Sequence, residues 1–217
     1  WGAYNSTVIG GDWNRVFDSC ESSVVGGAGN RVEDTYRSGI FEGHCNHVCN
    51  YSNDSTIMSG CRSCIFDYSC MSTIVGGYCN QIQGYSCKST IVGGSGNCIC
   101  GDNYSGPGYF YGSCNSTIVG GSNNCICGYD SNYGPGFFYG SCNSTIVGGC
   151  NNRICYYSDY STTIGGTDNL ICNSDKSGIF SGVSAKICNN SERSVIIGGS
   201  QDKILDYSCR STVIGGF

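Results

Sequence analysis

The stretch Asn115-Ser116-Thr117-Ile118-Val119-Gly120-Gly121 decides the fold, because the chain keeps rewriting it. It reads Ser6-Thr7-Val8-Ile9-Gly10-Gly11 near the start and Ser211-Thr212-Val213-Ile214-Gly215-Gly216 near the end. Versions closing at Gly27, Gly43, Gly60, Gly77, Gly94, Gly149, Gly166, Gly182 and Gly199 bring the total to twelve copies. The closing glycines fall 16 or 17 residues apart, except for two steps of 27 and 28. A second signature follows most of the glycine pairs, with Asn three residues on and Ile or Val five residues on, as in Asn14/Val16, Asn80/Ile82 and Asn152/Ile154. A fixed short period of this kind is the mark of a solenoid.

Each unit is too short for two helices and is rich in β-branched residues, so its elements are strands. Strand one carries Ser-Thr-Ile-Val, the glycine pair turns the corner, and strand two carries Asn-X-Ile-X; a second corner leads into the next coil. The expected fold is all-β: one parallel β-solenoid (β-helix or β-roll) domain over residues 1–217, with about twelve coils and loop inserts at 101–113 and 128–141. At about 4.8 Å per coil the rod is about 55 Å long.

Neighbours along a strand point to opposite sides. The column Val24, Ile40, Ile57 and Ile118 and the column Val25, Phe41, Met58 and Val119 therefore cannot share one interior. One fills the core with the Ile/Val of strand two; the other forms an outer apolar stripe of roughly 500 Å², about the largest patch a soluble monomer shows. A bend at the glycines that turns both columns inward is the alternative. The asparagines (Asn14, Asn30, Asn46, Asn80, Asn97, Asn124, Asn152, Asn169) share the parity of the core Ile, where stacked amides can hydrogen-bond along the rod. Tolerance of left-handed backbone would also place Asn there.

Charged residues make up only 12% of the chain, with a net charge of −5. No basic stripe exists for nucleic acid, and no apolar run of eighteen residues spans a membrane. Nineteen cysteines in 217 residues point to an oxidising compartment. Seven sequons, at Asn5, Asn50, Asn53, Asn103, Asn115, Asn143 and Asn189, agree with a secreted glycoprotein at a cell or virion surface. The chain begins at Trp1 without Met or signal peptide, as expected of a processed product or a piece of something longer.

The cysteines form columns, such as Cys20, Cys70, Cys87, Cys114, Cys142 and Cys209 seven residues before a closing glycine. Stacked neighbours lie within disulfide range. The pairs considered are Cys70–Cys87, Cys155–Cys172, Cys98–Cys125 and, closing the inserts, Cys100–Cys114 and Cys127–Cys142. An odd total leaves at least one sulfur free or bonded to another chain. The one metal-like constellation is Cys45, His47 and Cys49, which share a side of an extended strand; Cys49 belongs to a repeating cysteine column, so a disulfide explains it better, and no metal and no cofactor are expected. With two histidines in a single coil and no recurring carboxylate pair, no catalytic residues are assigned and no enzyme is expected.

The unit Ser-Thr-Ile-Val-Gly-Gly-X-X-Asn-X-Ile resembles repeats in head domains of trimeric autotransporter adhesins and in phage or viral tail fibres. The resemblance implies β-rolls that trimerise through an outer apolar face. The cysteines, sequons and long inserts set this chain apart and fit a fibre outside a eukaryotic cell, or of a virus infecting one.

Three functions follow as expectations. The first is a subunit of an extracellular filament, whose partner is itself and in which uncapped ends stack head to tail with Trp1 and Phe217 at the junction. The second is ice binding through the Thr-X-Val face (Thr7, Thr56, Thr73, Thr90, Thr117, Thr145, Thr162, Thr212), opposed by Phe41, Met58 and Phe180, which roughen it, by Gly39, Gly178 and Val195, which interrupt the Thr column, and by the sequons at Asn5, Asn115 and Asn143 beside it. The third is an adhesin gripping glycans or a surface receptor with the insert aromatics Tyr109, Phe110, Tyr111, Phe137, Phe138 and Tyr139.

Overall fold

A computed structural model describes residues 2–101, 112–128 and 140–216. The chain is a parallel β-solenoid with no helix among the described residues. Among the described residues, twenty-three short strands alternate between a twelve-stranded sheet, from Thr7–Ile9 to Thr212–Ile214, and an eleven-stranded sheet, from Arg15–Phe17 to Lys203–Ile204. Every described pairing is parallel and in register, so eleven complete turns and a twelfth strand stack along one axis of about 53 Å.

The alternation resolves as one residue in, two out. Ile40, Ile57, Ile74, Ile91, Ile118 and Ile146 of the first sheet meet Val48, Ile65, Ile82, Ile99, Ile126 and Ile154 of the second, all without solvent exposure. The following column stays outside: Phe41 is 45% exposed, Val119 40% and Ile197 43%. The glycine corners do not bend both columns inward. Thr163 stands alone among the isoleucines of its column, fully buried with its Oγ1 unpartnered.

A core one side chain wide leaves the corners to polar residues, and these are satisfied by the next coil. At one corner each serine Oγ accepts the backbone N–H of its counterpart one turn on, as Ser89 does for Ser116 at 3.3 Å and Ser116 for Ser144 at 3.3 Å. The same hydroxyls donate to a carbonyl of the neighbouring coil, Ser89 to Ser113 at 3.0 Å. The expected asparagine ladder is present, though amide meets backbone rather than amide. Asn97 Oδ1 accepts the Asn124 N–H at 3.0 Å, and Asn97 Nδ2 donates to the Gly120 carbonyl at 3.2 Å. Buried polar groups satisfied in this way avoid a desolvation cost of roughly 1–3 kcal/mol each.

The ladder explains the glycine pair. A Cβ on Gly121 would strike Asn124 Nδ2 and lie 2.5 Å from the Gly149 carbonyl oxygen, whereas one on Gly120 would meet nothing within 4 Å. Both have positive φ. The first position therefore tolerates Glu42, Ser59 and Ser181, each in the left-handed region, while the second is glycine in every copy.

Candidate functional site

Two outer faces carry the chemistry. The twelve-stranded sheet presents two parallel columns. Thr56, Thr73, Thr90, Thr117, Thr145 and Thr162 are half-buried and in register. Two residues along each strand, Met58, Val75, Val92, Val119, Val147 and Ile164 form the apolar partner column. The interruptions at Gly39 and Gly178 differ from expectation. A Cβ on Gly39 would sit 3.1 Å from Phe41 Cε2, and one on Gly178 2.9 Å from Phe180 Cε2. Each ring lies back over the glycine of its own strand and covers the place a threonine would hold, so both glycines are buried. The pair Gly39/Phe41 thus fills both columns without a protrusion, and so does Gly178/Phe180. Ser23 and Val195 remain the departures from the Thr–apolar pattern.

The eleven-stranded sheet presents thiols. Cys100, Cys127, Cys155, Cys172 and Cys188 follow one another in register, and Cys98 and Cys125 stand beside the first two. Neighbouring thiols along the row influence one another. Cys155 and then Cys188 push the Cys172 thiol down, while Cys155 is pushed up first by Cys127, then by Cys172 and by burial, and Cys188 by Cys172 and then by burial. At the far corner the Cys114 contact is the main influence holding the Cys87 thiol down.

All nineteen cysteines are free thiols in the structure. Register sets Cys98 against Cys125 and Cys155 against Cys172, and the Cys70 N–H donates to Cys87 Sγ at 3.2 Å, so these three pairs are axial neighbours but unbridged. The pairings Cys100–Cys114 and Cys127–Cys142 meet a different arrangement. Cys100 neighbours Cys98, Cys125 and Cys127 on the sheet, while Cys114 neighbours Cys87 and Cys142 beyond the corner serine Ser113. Each insert is flanked by cysteines of two separate columns.

Cys45, His47 and Cys49 do not converge. Cys45 is exposed in a left-handed turn, and the His47 Nε2 lies 3.5 Å from Glu33 Oε2, beside the Arg31–Glu33 ion pair. Burial and then Arg31 hold the His47 pKa down; burial pushes the Cys49 thiol up to about 12. Arg31 also lies over the Phe17 ring at 4.4 Å.

Of the sequons, Asn5, Asn115, Asn143 and Asn189 are exposed in left-handed turns. Asn50 Nδ2 donates to Asp67 at 2.8 Å and Asn189 Nδ2 to Asp206 at 2.7 Å, so a glycan on either nitrogen competes with a ladder contact, while Asn53 uses its Oδ1, which accepts the Tyr36 N–H at 2.8 Å. Asn103, Trp1, Phe217 and the aromatics Tyr109, Phe110, Tyr111, Phe137, Phe138 and Tyr139 lie outside the described residues. The bases of the two inserts are stacked, with the Gly128 N–H donating to the Cys100 carbonyl at 3.0 Å. Tyr51, Tyr68 and Tyr85 form a ring stack at 5.3 and 5.1 Å in the coils leading up to them. Their spacing of 17 residues is the signal that would have found it.

Two in-register parallel sheets closed by polar corner ladders define a β-solenoid repeat protein. The chain matches no family model and no curated protein. Among solved structures, a crystal structure assigned as an acetyltransferase from Desulfovibrio desulfuricans G20 aligns at 8% identity and a TM-score of 0.21. The alignment covers 94% of this chain and 65% of that protein's length. Similarity at that level says nothing about activity. The β-roll architecture implied by the repeat motif is present, while no family match ties the chain to adhesin heads or tail fibres.

Proposed function

We propose that the chain is a structural subunit of an extracellular filament or fibre, associating with further copies of itself through the flat Thr–apolar face of the twelve-stranded sheet. The observation that supports this reading is the continuity of the outward-facing apolar column from Ile9 to Ile214, half-buried at Val25, Val75 and Phe180 and exposed elsewhere, on a face where the Phe41 and Phe180 rings lie over Gly39 and Gly178. Soluble monomers seldom leave so long an apolar stripe bare. Two such faces laid together bury on the order of 1,000 Å², the lower bound for a specific interface. End-to-end stacking of coils is the accompanying axial contact, and disulfides and glycans at exposed sequons are stabilising features of the same reading. It assigns no catalytic residue and no cofactor. Sedimentation of the full chain tests it: higher assemblies support self-association, and a monomer at every concentration opposes it.

One observation favours a second reading. The unbroken Thr column from Thr56 to Thr162, in register with an apolar column, is a flat and regularly spaced surface of the kind that binds ice. A thermal-hysteresis measurement on monomeric protein separates the two; activity there would replace the filament reading.

A further inference from the structure

We infer that Cys98, Cys100, Cys125 and Cys127 form a four-thiolate site for a soft metal ion of the Zn(II) class. The strands Cys98–Cys100 and Cys125–Cys127 pair in register, and the buried Ile99 and Ile126 between the cysteines fix both backbones. Four thiols therefore leave the same outer face as a two-by-two block. The Sγ atoms of Cys98, Cys100 and Cys125 all lie within 4.8 Å of one another, and Cys127 stands in register with Cys100 on the strand of Cys125. Tetrahedral zinc with Zn–S bonds of about 2.3 Å needs sulfurs about 3.8 Å apart, a closure that side-chain rotation supplies without moving the strands.

The surroundings select the ion. The register neighbours are Gln81 and Gln83 on one side and Arg153 and Cys155 on the other. None is a carboxylate, so the donor set is sulfur alone, which suits thiophilic ions and not calcium or magnesium. Arg153 adjoins Cys125 and offsets part of the charge of a tetrathiolate. The rest of the thiol row offers no second block, because Cys155, Cys172 and Cys188 stand beside Arg153, Leu170 and Lys186. On binding, four S–H bonds break, four metal–sulfur bonds form, and the four protons pass to the buffer. The site lies on the sheet opposite the Thr–apolar face, so it does not depend on the lateral contact of the filament reading, but it excludes a Cys98–Cys125 disulfide.

The test is titration of the reduced, metal-free full chain with Co(II) and then Zn(II). One equivalent should give the sulfur-to-cobalt charge-transfer and visible bands of a tetrahedral four-sulfur site, which Zn(II) then bleaches. Cys98→Ser/Cys125→Ser should abolish the spectrum, and Cys70→Ser/Cys87→Ser, at the far corner, should leave it intact. Cys127→Ser alone should weaken binding at least about tenfold while the metal-free unfolding midpoint stays put, which separates loss of a ligand from loss of fold. Absence of the four-sulfur spectrum in the wild type, its survival in the Cys98/Cys125 variant, or quantitative Cys98–Cys125 and Cys100–Cys127 disulfides formed in the presence of Zn(II) would overturn the inference.

Discussion

The Phe41 ring lies against Gly39 two residues earlier in the same strand, so close that a Cβ on the glycine would sit 3.1 Å from the ring edge. The same relationship recurs at Phe180 and Gly178, where a Thr-X-Val strand has become Gly-X-Phe at both positions together. A double-mutant cycle tests the coupling. Gly39→Thr alone should cost about 1–3 kcal/mol, because the ring is forced off the sheet. Adding Phe41→Val should recover most of that loss in urea unfolding. Additive costs would show that the two positions are independent.

The corner glycines should respond unequally. Gly120→Ala meets open space and carries only left-handed backbone strain, about 1–2 kcal/mol. Gly121→Ala adds a clash with Asn124 and the Gly149 carbonyl, and should cost at least about 3 kcal/mol once overpacking is included. Equal midpoints for the two variants would contradict the role given to the asparagine ladder.

Thr163 offers a gain. Its buried hydroxyl has no hydrogen-bond partner while its neighbours Ile146 and Ile179 are apolar. Thr163→Val keeps the shape and removes the unsatisfied group, so it should stabilise the chain by about 1–2 kcal/mol. A loss in thermal unfolding would mean that the hydroxyl is satisfied.

Acidic residues replace cysteines in one corner column. Asp159 Oδ1 accepts the Cys142 N–H at 2.7 Å, and Asp175 Oδ1 accepts the Asp159 N–H at 2.8 Å, the position Asn53 fills for Tyr36. Burial, more than any other influence, raises both carboxyl pKa values, and each also feels a neighbouring acid. A raised folded-state pKa means that the folded chain holds the proton more tightly than the unfolded one. That contribution is present in full below the unfolded-state value and is lost as pH rises through the folded value. Asp159→Asn should therefore stabilise the chain at pH 7, with a gain that shrinks as pH falls into the carboxylate range. A gain of constant size across that range would point away from ionisation.

The repeat made most of this architecture legible. Period and alternation separated two apolar columns onto opposite sides and set the asparagines on the core side, because each depends only on residue spacing; that the column of Ile118 faces inward and that of Val119 outward came from the structure. What stayed hidden depends on contacts between columns. Phe41 and Phe180 read as roughness because sequence shows a large residue but not the direction its ring takes over Gly39 or Gly178. Cys100 and Cys114 bracket an insert and so look like a staple, yet Cys100 belongs to the sheet and Cys114 to the corner beyond Ser113. The block at Cys98, Cys100, Cys125 and Cys127 is likewise spread over a step of 27 residues that only the register of the two strands brings together.

The central claim is that the Thr–apolar face meets another copy of the chain, and cryo-electron microscopy of the full chain beside its Val119→Lys/Val147→Lys variant tests it most directly. The account predicts that the wild type forms lateral assemblies with sheets about 10 Å apart across the contact and strands about 4.8 Å apart along the axis. The variant should give folded single rods. Wild-type protein that remains as single rods, or a variant that assembles like the wild type, would contradict it.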